Sequence, residues 1–334
     1  MRTLIKSFFA IALLAGFVSC SDDDKMGASI FDIPQEPIIL NTTDQYLYDT
    51  YQKPYNVEVI YSWRESETDM SFNLIPPYLE KVQPLMHVID TTYVEPYDIV
   101  VGTNFLKRYV PKQFLLIGSP GINASSGTEV LGTAEGGVKV LLYKVNQFDR
   151  NNPATYEDIL HTIHHEFAHI LHQNKLYDRT YKDVTPSVYT ATWYNYTDAD
   201  ANAKGCITAY AMASCDEDFS EMFSIMLLNG KENWDKMIEA MPAEGQKLIR
   251  SKEELIISYC ETKWKFKFRD LQQMVYARIS ELAPVSTHAS VVPFAFKSER
   301  TSCGCSEYFH YAPPGETPVE EYLNTILDNL VEKM

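Results

Sequence analysis

The groups best able to do chemistry concentrate in one segment, His161-Thr-Ile-His-His165-Glu166-Phe-Ala-His169-Ile-Leu-His172, which holds five of the chain's 8 histidines. On a helix, residues four apart project from one face, so His165 and His169 can offer two imidazole nitrogens to a single metal ion with Glu166 beside them. A zinc ion held in this way is a Lewis acid that lowers the pKa of a coordinated water to about 7, and a neighbouring carboxylate can take the proton as that water attacks a carbonyl. The spacing therefore fits metal-assisted hydrolysis, with His165 and His169 as ligands and Glu166 as general base. The competing account is a core helix that happens to carry histidines. His161 and His172 share the helix face or its edge but are unneeded as ligands, and His164 points elsewhere; a place behind the ligands or on the surface is expected for these three.

Such a motif must sit on a helix, and its flanks supply one. Pro153 suits a first helical turn with Asn152 as its N-cap, and Glu157 and Asp158 favour the positive end of the dipole. Ile159, Ile163, Phe167, Ile170 and Leu171 recur at helical spacing. A catalytic zinc takes three protein ligands and keeps a further position open, so another ligand must come from elsewhere in the chain. Glu217 is the candidate, at the head of a second apolar-periodic segment, Glu217-Asp-Phe-Ser-Glu221-Met-Phe223, which ends near Asn229-Gly230. Glu221 lies one turn on and could hold a ligating histidine through its other ring nitrogen. Ser214-x-x-Glu217 is also a capping box, which accounts for Glu217 without any metal; both readings start the helix at the same place.

With these residues in view the chain resembles a family. His165-Glu-Phe-Ala-His169, followed by Tyr210 and then Glu217-Asp-Phe-Ser-Glu221-Met-Phe223, is similar to the gluzincin arrangement of anthrax toxin lethal factor and its relatives. There H-E-F-G-H is followed by Tyr and then by E-F-F-A-E-A-F. The length of the chain and its first twenty residues, two basic groups (Arg2 and Lys6) and an apolar run ending in Ser19-Cys20, are also similar to those of zinc-binding metallopeptidases found among bacterial surface lipoproteins. The resemblance implies His165, His169 and Glu217 as zinc ligands, Glu166 as base, Tyr210 as the group facing the oxyanion, and Glu221 as support for a ligand. Ala168 stands where the pattern has glycine and Asp218 where it has an aromatic; neither change removes a ligand. The correspondence is confined to roughly residues 155 to 228, so it implies no particular substrate.

Elsewhere, Val57 to Trp63, Phe114 to Ile117 and Gly137 to Tyr143 read as strands, and residues from about Pro76 to Val88 as a helix. In zinc peptidases of this type an edge strand borders the cleft and substrate adds to it through backbone hydrogen bonds. Periodicity does not decide whether Gly137 to Tyr143 or a neighbour is that edge. Residues 173 to 209 read as a long loop rich in Tyr, Thr, Asp and Asn, whose Trp193-Tyr-Asn-Tyr196 either lines a cleft or packs on itself. Lys263-Trp-Lys265-Phe-Lys267-Phe-Arg269 interleaves charge with aromatics as single-strand nucleic-acid binders do, but its period of two also fits an amphipathic strand or extended segment with a solvated basic face, the reading that the acidic chain favours.

The first residues carry Arg2 and Lys6, an apolar run from Ser7 to Val18, and Ser19-Cys20, which together read as a secretory signal too short to span a membrane. Cleavage before Cys20 would resemble the processing of bacterial lipoproteins, with Cys20 as the lipidated residue. Phe17 departs from the aliphatic residue usual there, which leaves ordinary secretion as the alternative. Ser21-Asp22-Asp23-Asp24 resembles the acidic tag that directs some lipoproteins to the outer face of the outer membrane; a solvated leader is the other reading. Residues 20 to 38 form a tether, 39 to 283 the domain, and 284 to 334 a loop-rich tail whose Thr317-Pro-Val-Glu320 capping box opens a final helix. Removing residues 1 to 19 takes away two cations and no acid, so the net charge of -16 becomes -18. A chain this acidic is not built to neutralise nucleic-acid phosphates or to adhere to anionic headgroups. Five cysteines remain besides Cys20, so at least one thiol stays unpaired within the chain; Cys206 and Cys215 could pair, and Cys303-Gly-Cys305 lacks a second ligand pair for metal.

The expectation is an α+β, zincin-like domain with a mixed sheet, a motif helix and a mostly helical second part. It would act as a zinc-dependent peptidase on extracellular protein or peptide, held by a lipid anchor at the cell surface. The competing class is a surface lipoprotein that binds protein or glycan with a catalytically silent fold. Glu166 separates the two, because a binding module has no need of a carboxylate next to two zinc ligands. A purely structural zinc site would usually close its fourth position with another His or Cys.

Overall fold

The computed structural model describes residues 40–67, 72–122, 129–130, 132–135 and 138–282. The expected leader, tether and tail, with Cys20, Cys303, Cys305 and the helix opened by Thr317, lie outside the described residues.

The protein is a mostly helical α+β structure with one small main sheet. Strands β1 (Glu58–Ile60) and β2 (Gln113–Leu116) precede a two-stranded ribbon of β3 (Gly121–Ile122) and β4 (Glu129–Val130), and β5 (Gly132–Glu135) and β6 (Lys139–Leu142) follow. The main sheet runs β1-β2-β6-β5, with β1, β2 and β6 parallel and β5 antiparallel to β6. Side chains alternate across it: Phe114, Leu116, Val140 and Leu142 enter the main core, while Leu115, Ile117, Leu141 and Tyr143 join Ile60 on the other face. Burial on both faces is why β2 and β6 read as unbroken apolar runs. The strand singled out from the sequence, β6, is therefore interior; among the described residues the edge strands are β1 and β5, of which β5 lies against the motif helix.

Among the described residues the α-helices longer than three residues are α1 (Thr42–Leu47), α2 (Leu79–Ile89), α3 (Glu95–Val100), α4 (Thr103–Tyr109), α5 (Glu157–Asn174), α6 (Thr180–Val184), α7 (Asp198–Ala203), α8 (Cys215–Glu239), α9 (Ala243–Tyr259) and α10 (Phe268–Leu282). Motif helix α5 buries Ile159, Ile163, Phe167, Ile170 and Leu171, as their spacing requires. Its start differs from the expectation. Asn152 and Pro153 open a separate 3-10 turn, Pro153–Thr155, and the α-helix begins only at Glu157. Thr155 Oγ1 accepts the Asp149 N–H at 2.9 Å, which closes that turn as a unit of its own.

Helix α8 joins two helical segments across a kink: the first ends at Asn229-Gly230 as expected, with Gly230 at φ 64 and ψ 175, and the second continues to Glu239. Glycine is required at that break both by its conformation and because a Cβ would stand 2.7 Å from the Tyr276 ring. Residues 173 to 209 are not one loop: they fold as α6, a 3-10 turn Trp193–Asn195, and α7, whose Thr197 and Asp200 form a reciprocal cap. The segment from Lys263 to Arg269 is no strand. A π-helical turn (Cys260–Trp264), a left-handed Lys265 and the start of α10 together keep Trp264, Phe266 and Phe268 inside and the lysines solvated. Cys206 and Cys215 are not bridged: Lys252 Nζ lies 3.8 Å from the buried Cys206 sulfur, and the Tyr177 hydroxyl donates to Cys215 at 3.4 Å.

Candidate metal centre

Helices α5 and α8 pack against each other so that each turn of one meets a turn of the other. Positions 161, 165 and 169 of α5 recur every four residues, as do 217 and 221 of α8, with 224 a further turn along the same face. Ser224 Oγ donates to the His161 carbonyl at 3.0 Å. One turn along, Glu221 Oε1 lies 2.9 Å from both His161 Nε2 and His165 Nδ1, at ion-pair distance though without the alignment of a hydrogen bond. A turn further, Glu217 Oε2 lies 3.0 Å from His165 Nε2 and 3.2 Å from His169 Nε2, and the two Nε2 atoms are 3.1 Å apart.

These last three atoms form a small triangle of lone-pair bearers, and a single proton can lie along only one of its edges. The other two edges then set acceptor against acceptor. A cation over the triangle satisfies all three at once, and bonds of about 2.0 to 2.1 Å from one ion can reach every corner. Two imidazole nitrogens and a carboxylate oxygen are donors that zinc accepts, so the residues fit the metal. His161, His165 and Glu221 form a second cluster of potential donors, but all three are buried and Thr208 Oγ1 occupies the other Glu221 oxygen at 2.7 Å. Its single carboxylate oxygen between two ring nitrogens is suited to holding rings in place, and it offers no opening to solvent.

Electrostatics bind the two helices together here. Burial pushes the His165 ring down, but the Glu217 and Glu221 carboxylates at its two nitrogens outweigh it and raise the ring to about 10. Burial would raise Glu217, and the two imidazoles hold it instead well below the usual carboxylate range. Glu166 is half-buried, takes no hydrogen bond from any described residue, and is pushed up by burial against the opposing pull of His165 and His169. A carboxylate moved toward neutrality in this direction is better matched to general-base work.

Glu217 had two readings in sequence, and the structure separates them. Ser214 caps α8, its hydroxyl accepting the Glu217 N–H at 3.1 Å, but the Glu217 carboxylate turns to the histidines and does not return the cap. Only half of the capping box is made. Tyr210 heads the 3-10 turn Tyr210–Met212 just before α8, with its ring centroid 5.9 Å from that of His165 and 5.2 Å from that of Trp193. Of the other motif histidines, none is on the surface. His161 is buried against Glu221, His172 lies 2.9 Å from His169 Nδ1, and His164 is enclosed by Tyr93 and Tyr97, where burial pushes its pKa down to about 3.

Sequence reasoning missed two supports. Thr208 Oγ1 donates to Glu221 and accepts the Ala211 N–H at 3.1 Å, so one hydroxyl ties the Tyr210 turn to the carboxylate beneath His165. No motif marks it. The other is Asp218, fully buried beside Glu217, which pairs with the equally buried Lys252 at 2.5 Å and accepts from the Tyr189 hydroxyl at 2.9 Å. Lys252 also donates to the Gly205 carbonyl at 2.6 Å, joining α9 to the approach to Tyr210. An aspartate where the family pattern has an aromatic was the available signal, since a core carboxylate demands a cation. Lys252→Met, leaving Asp218 charged and unpaired, is expected to cost about 3–5 kcal/mol of stability. Adding Asp218→Asn should recover part of that loss in urea unfolding; an unchanged midpoint for the single variant would mean that the pair does not hold this region together.

A helix carrying two histidines and a carboxylate, met by a glutamate from a second helix, defines the class of zinc metallopeptidases bearing H-E-x-x-H. The chain belongs to the family described as "Putative zinc-binding metallo-peptidase", whose profile matches residues 37–269. It is similar to a crystal structure titled as a "putative zinc-binding metallo-peptidase" from Bacteroides caccae ATCC 43185, at 31% identity and a TM-score of 0.63. That similarity covers 72% of this chain and 92% of the other. No curated protein matches the chain.

Proposed function

We propose that the protein is a zincin-like, zinc-dependent peptidase that hydrolyses extracellular protein or peptide. The observation that carries this reading is the triangle of His165 Nε2, His169 Nε2 and Glu217 Oε2, with its edges of 3.0, 3.1 and 3.2 Å, beside a carboxylate on the same helix, Glu166, that takes no hydrogen bond from the described residues. His165, His169 and Glu217 would hold the metal, and Glu221 and Thr208 would fix the His165 ring. Bound zinc would supply a Lewis acid and lower the pKa of a coordinated water to about 7. Glu166 would take the proton from the attacking water and pass it to the leaving amine. Tyr210 would donate its hydroxyl to the oxyanion as charge develops on the substrate carbonyl. The outer edge of β5, which has no strand partner among the described residues, would pair with an extended substrate backbone.

A mixed peptide library followed by mass spectrometry tests the activity, and Tyr210→Phe tests the oxyanion role. The variant keeps ring and packing and is expected to lower kcat roughly tenfold to a thousandfold with zinc content and KM little changed. Equal kcat for variant and parent would return Tyr210 to a packing role. The leader ending at Cys20 and the acidic run after it support a lipid anchor at the outer face of the outer membrane. Labelled fatty acid should then enter the parent and not Cys20→Ala; incorporation by both would remove the anchor from this account.

A further inference from the structure

The two metal-facing histidines are supported differently. His165 turns its far nitrogen, Nδ1, toward the Glu221 carboxylate at 2.9 Å, whereas His169 turns its Nδ1 toward the Nε2 of another histidine, His172, also at 2.9 Å. His172 is buried, with its ring edge-on to Tyr177 at 5.6 Å and to Phe219 at 5.8 Å. It makes no ion pair among the described residues. Its neighbours therefore fix the plane of the ring through packing and leave its Nε2 aimed at one atom only.

Chemistry then dictates the proton positions. If His169 gives its Nε2 lone pair to a metal, its Nδ1 must carry the ring proton, and that N–H points at His172 Nε2. His172 can accept it only as an imidazole protonated on its own Nδ1, because a proton on Nε2 would set donor against donor at 2.9 Å. We propose that His172 is a positioning residue for the metal centre: a neutral imidazole that accepts the His169 Nδ1–H and so fixes the ring orientation and tautomer of that ligand. This inference rests on the assignment of His169 as a ligand. It gives the site one ligand backed by a carboxylate and one backed by a neutral ring, and the sequence carries the device as His169-x-x-His172, one helical turn.

Zinc affinity, measured by competition with a fluorescent chelator, is the direct test, because activity alone cannot separate positioning from chemistry. His172→Phe keeps a flat ring among Tyr177 and Phe219 but removes the acceptor, and it is expected to weaken zinc binding roughly 10- to 100-fold, the usual cost of losing a partner behind a ligand. His172→Gln, whose amide oxygen can still accept, should stay within a few-fold of the parent. Phe and Gln variants that bind zinc as tightly as the parent would overturn the proposal, and so would equal weakening in both, which would assign His172 to packing. Should His172→Phe fail to fold, nitrogen NMR of the zinc-loaded parent decides instead: a protected His169 Nδ1–H coupled to a nitrogen of His172 supports the proposal, and its absence overturns it. A parent that binds no zinc at all would instead sink the assignment of the metal centre, so the two failures are distinguishable.

Discussion

Glu166→Gln is expected to keep its zinc and lose most of its hydrolysis, by roughly a hundredfold to ten-thousandfold in kcat, the range that a positioned general base supplies. The amide has nearly the shape of the carboxylate and no charge, and Glu166 takes no hydrogen bond from the described residues, so the fold has little to lose. The substitution removes one negative charge near His165 and His169 and leaves every ligand atom in place. Zinc content and melting temperature should therefore stay close to the parent while turnover falls. The contrast with a binding protein is sharp. A module that merely holds peptide would bind its ligand equally well after the Glu166→Gln substitution, and neither variant nor parent would cut. Undiminished hydrolysis by Glu166→Gln on a peptide that the parent cleaves would overturn the mechanism. Catalysis by the parent with a large drop in zinc content for the variant would show instead that Glu166 acts on the metal.

The motif and its helix were legible because helical spacing is a local property: His165, Glu166 and His169 are within one turn, and their apolar neighbours fix the face that is buried. Glu217 and Glu221 were legible as two glutamates one turn apart at the head of an apolar-periodic segment, but Glu217 was equally explained as a cap, since the geometry that joins them to the histidines runs between two helices and leaves no period in the chain. The strand reading found β1, β2 and β6 but not which edge strand lies beside the motif helix. That depends on pairing order, and β5 is a short polar segment, Gly132-Thr-Ala-Glu135, with no apolar pattern to announce it. Lys263 to Arg269 shows the converse. Alternation of aromatic and basic residues correctly gave the inward and outward faces, yet a π-helical turn and a left-handed residue produce the same alternation as a strand. Thr208 and Lys252 were invisible for a common reason: each acts by filling a hydrogen-bonding need created by a residue that it touches in the fold but that is distant from it in sequence.

Glu217→Ala is the substitution expected to damage metal binding most among those on α8. In the parent, Glu217 Oε2 is the corner of the triangle that carries negative charge, within 3.0 Å of one Nε2 and 3.2 Å of the other. Without it, two neutral nitrogens from a single helix face must hold a dication alone, and the loss should exceed the roughly 10- to 100-fold that follows removal of a partner behind a ligand. Helix α8 should survive, because its cap uses the Ser214 hydroxyl and the Glu217 backbone N–H, neither of which the substitution removes. Circular dichroism should thus show parental helix content while competition with a chelator shows zinc stripped from the protein. Glu221 provides the control. Glu221→Gln leaves the triangle itself complete and weakens only the support of His165, so its zinc loss should be smaller than that of Glu217→Ala. If Glu217→Ala retains stoichiometric zinc at parental affinity while Glu221→Gln loses it, the metal belongs to the buried cluster of His161, His165 and Glu221, and Glu217 serves α8 alone.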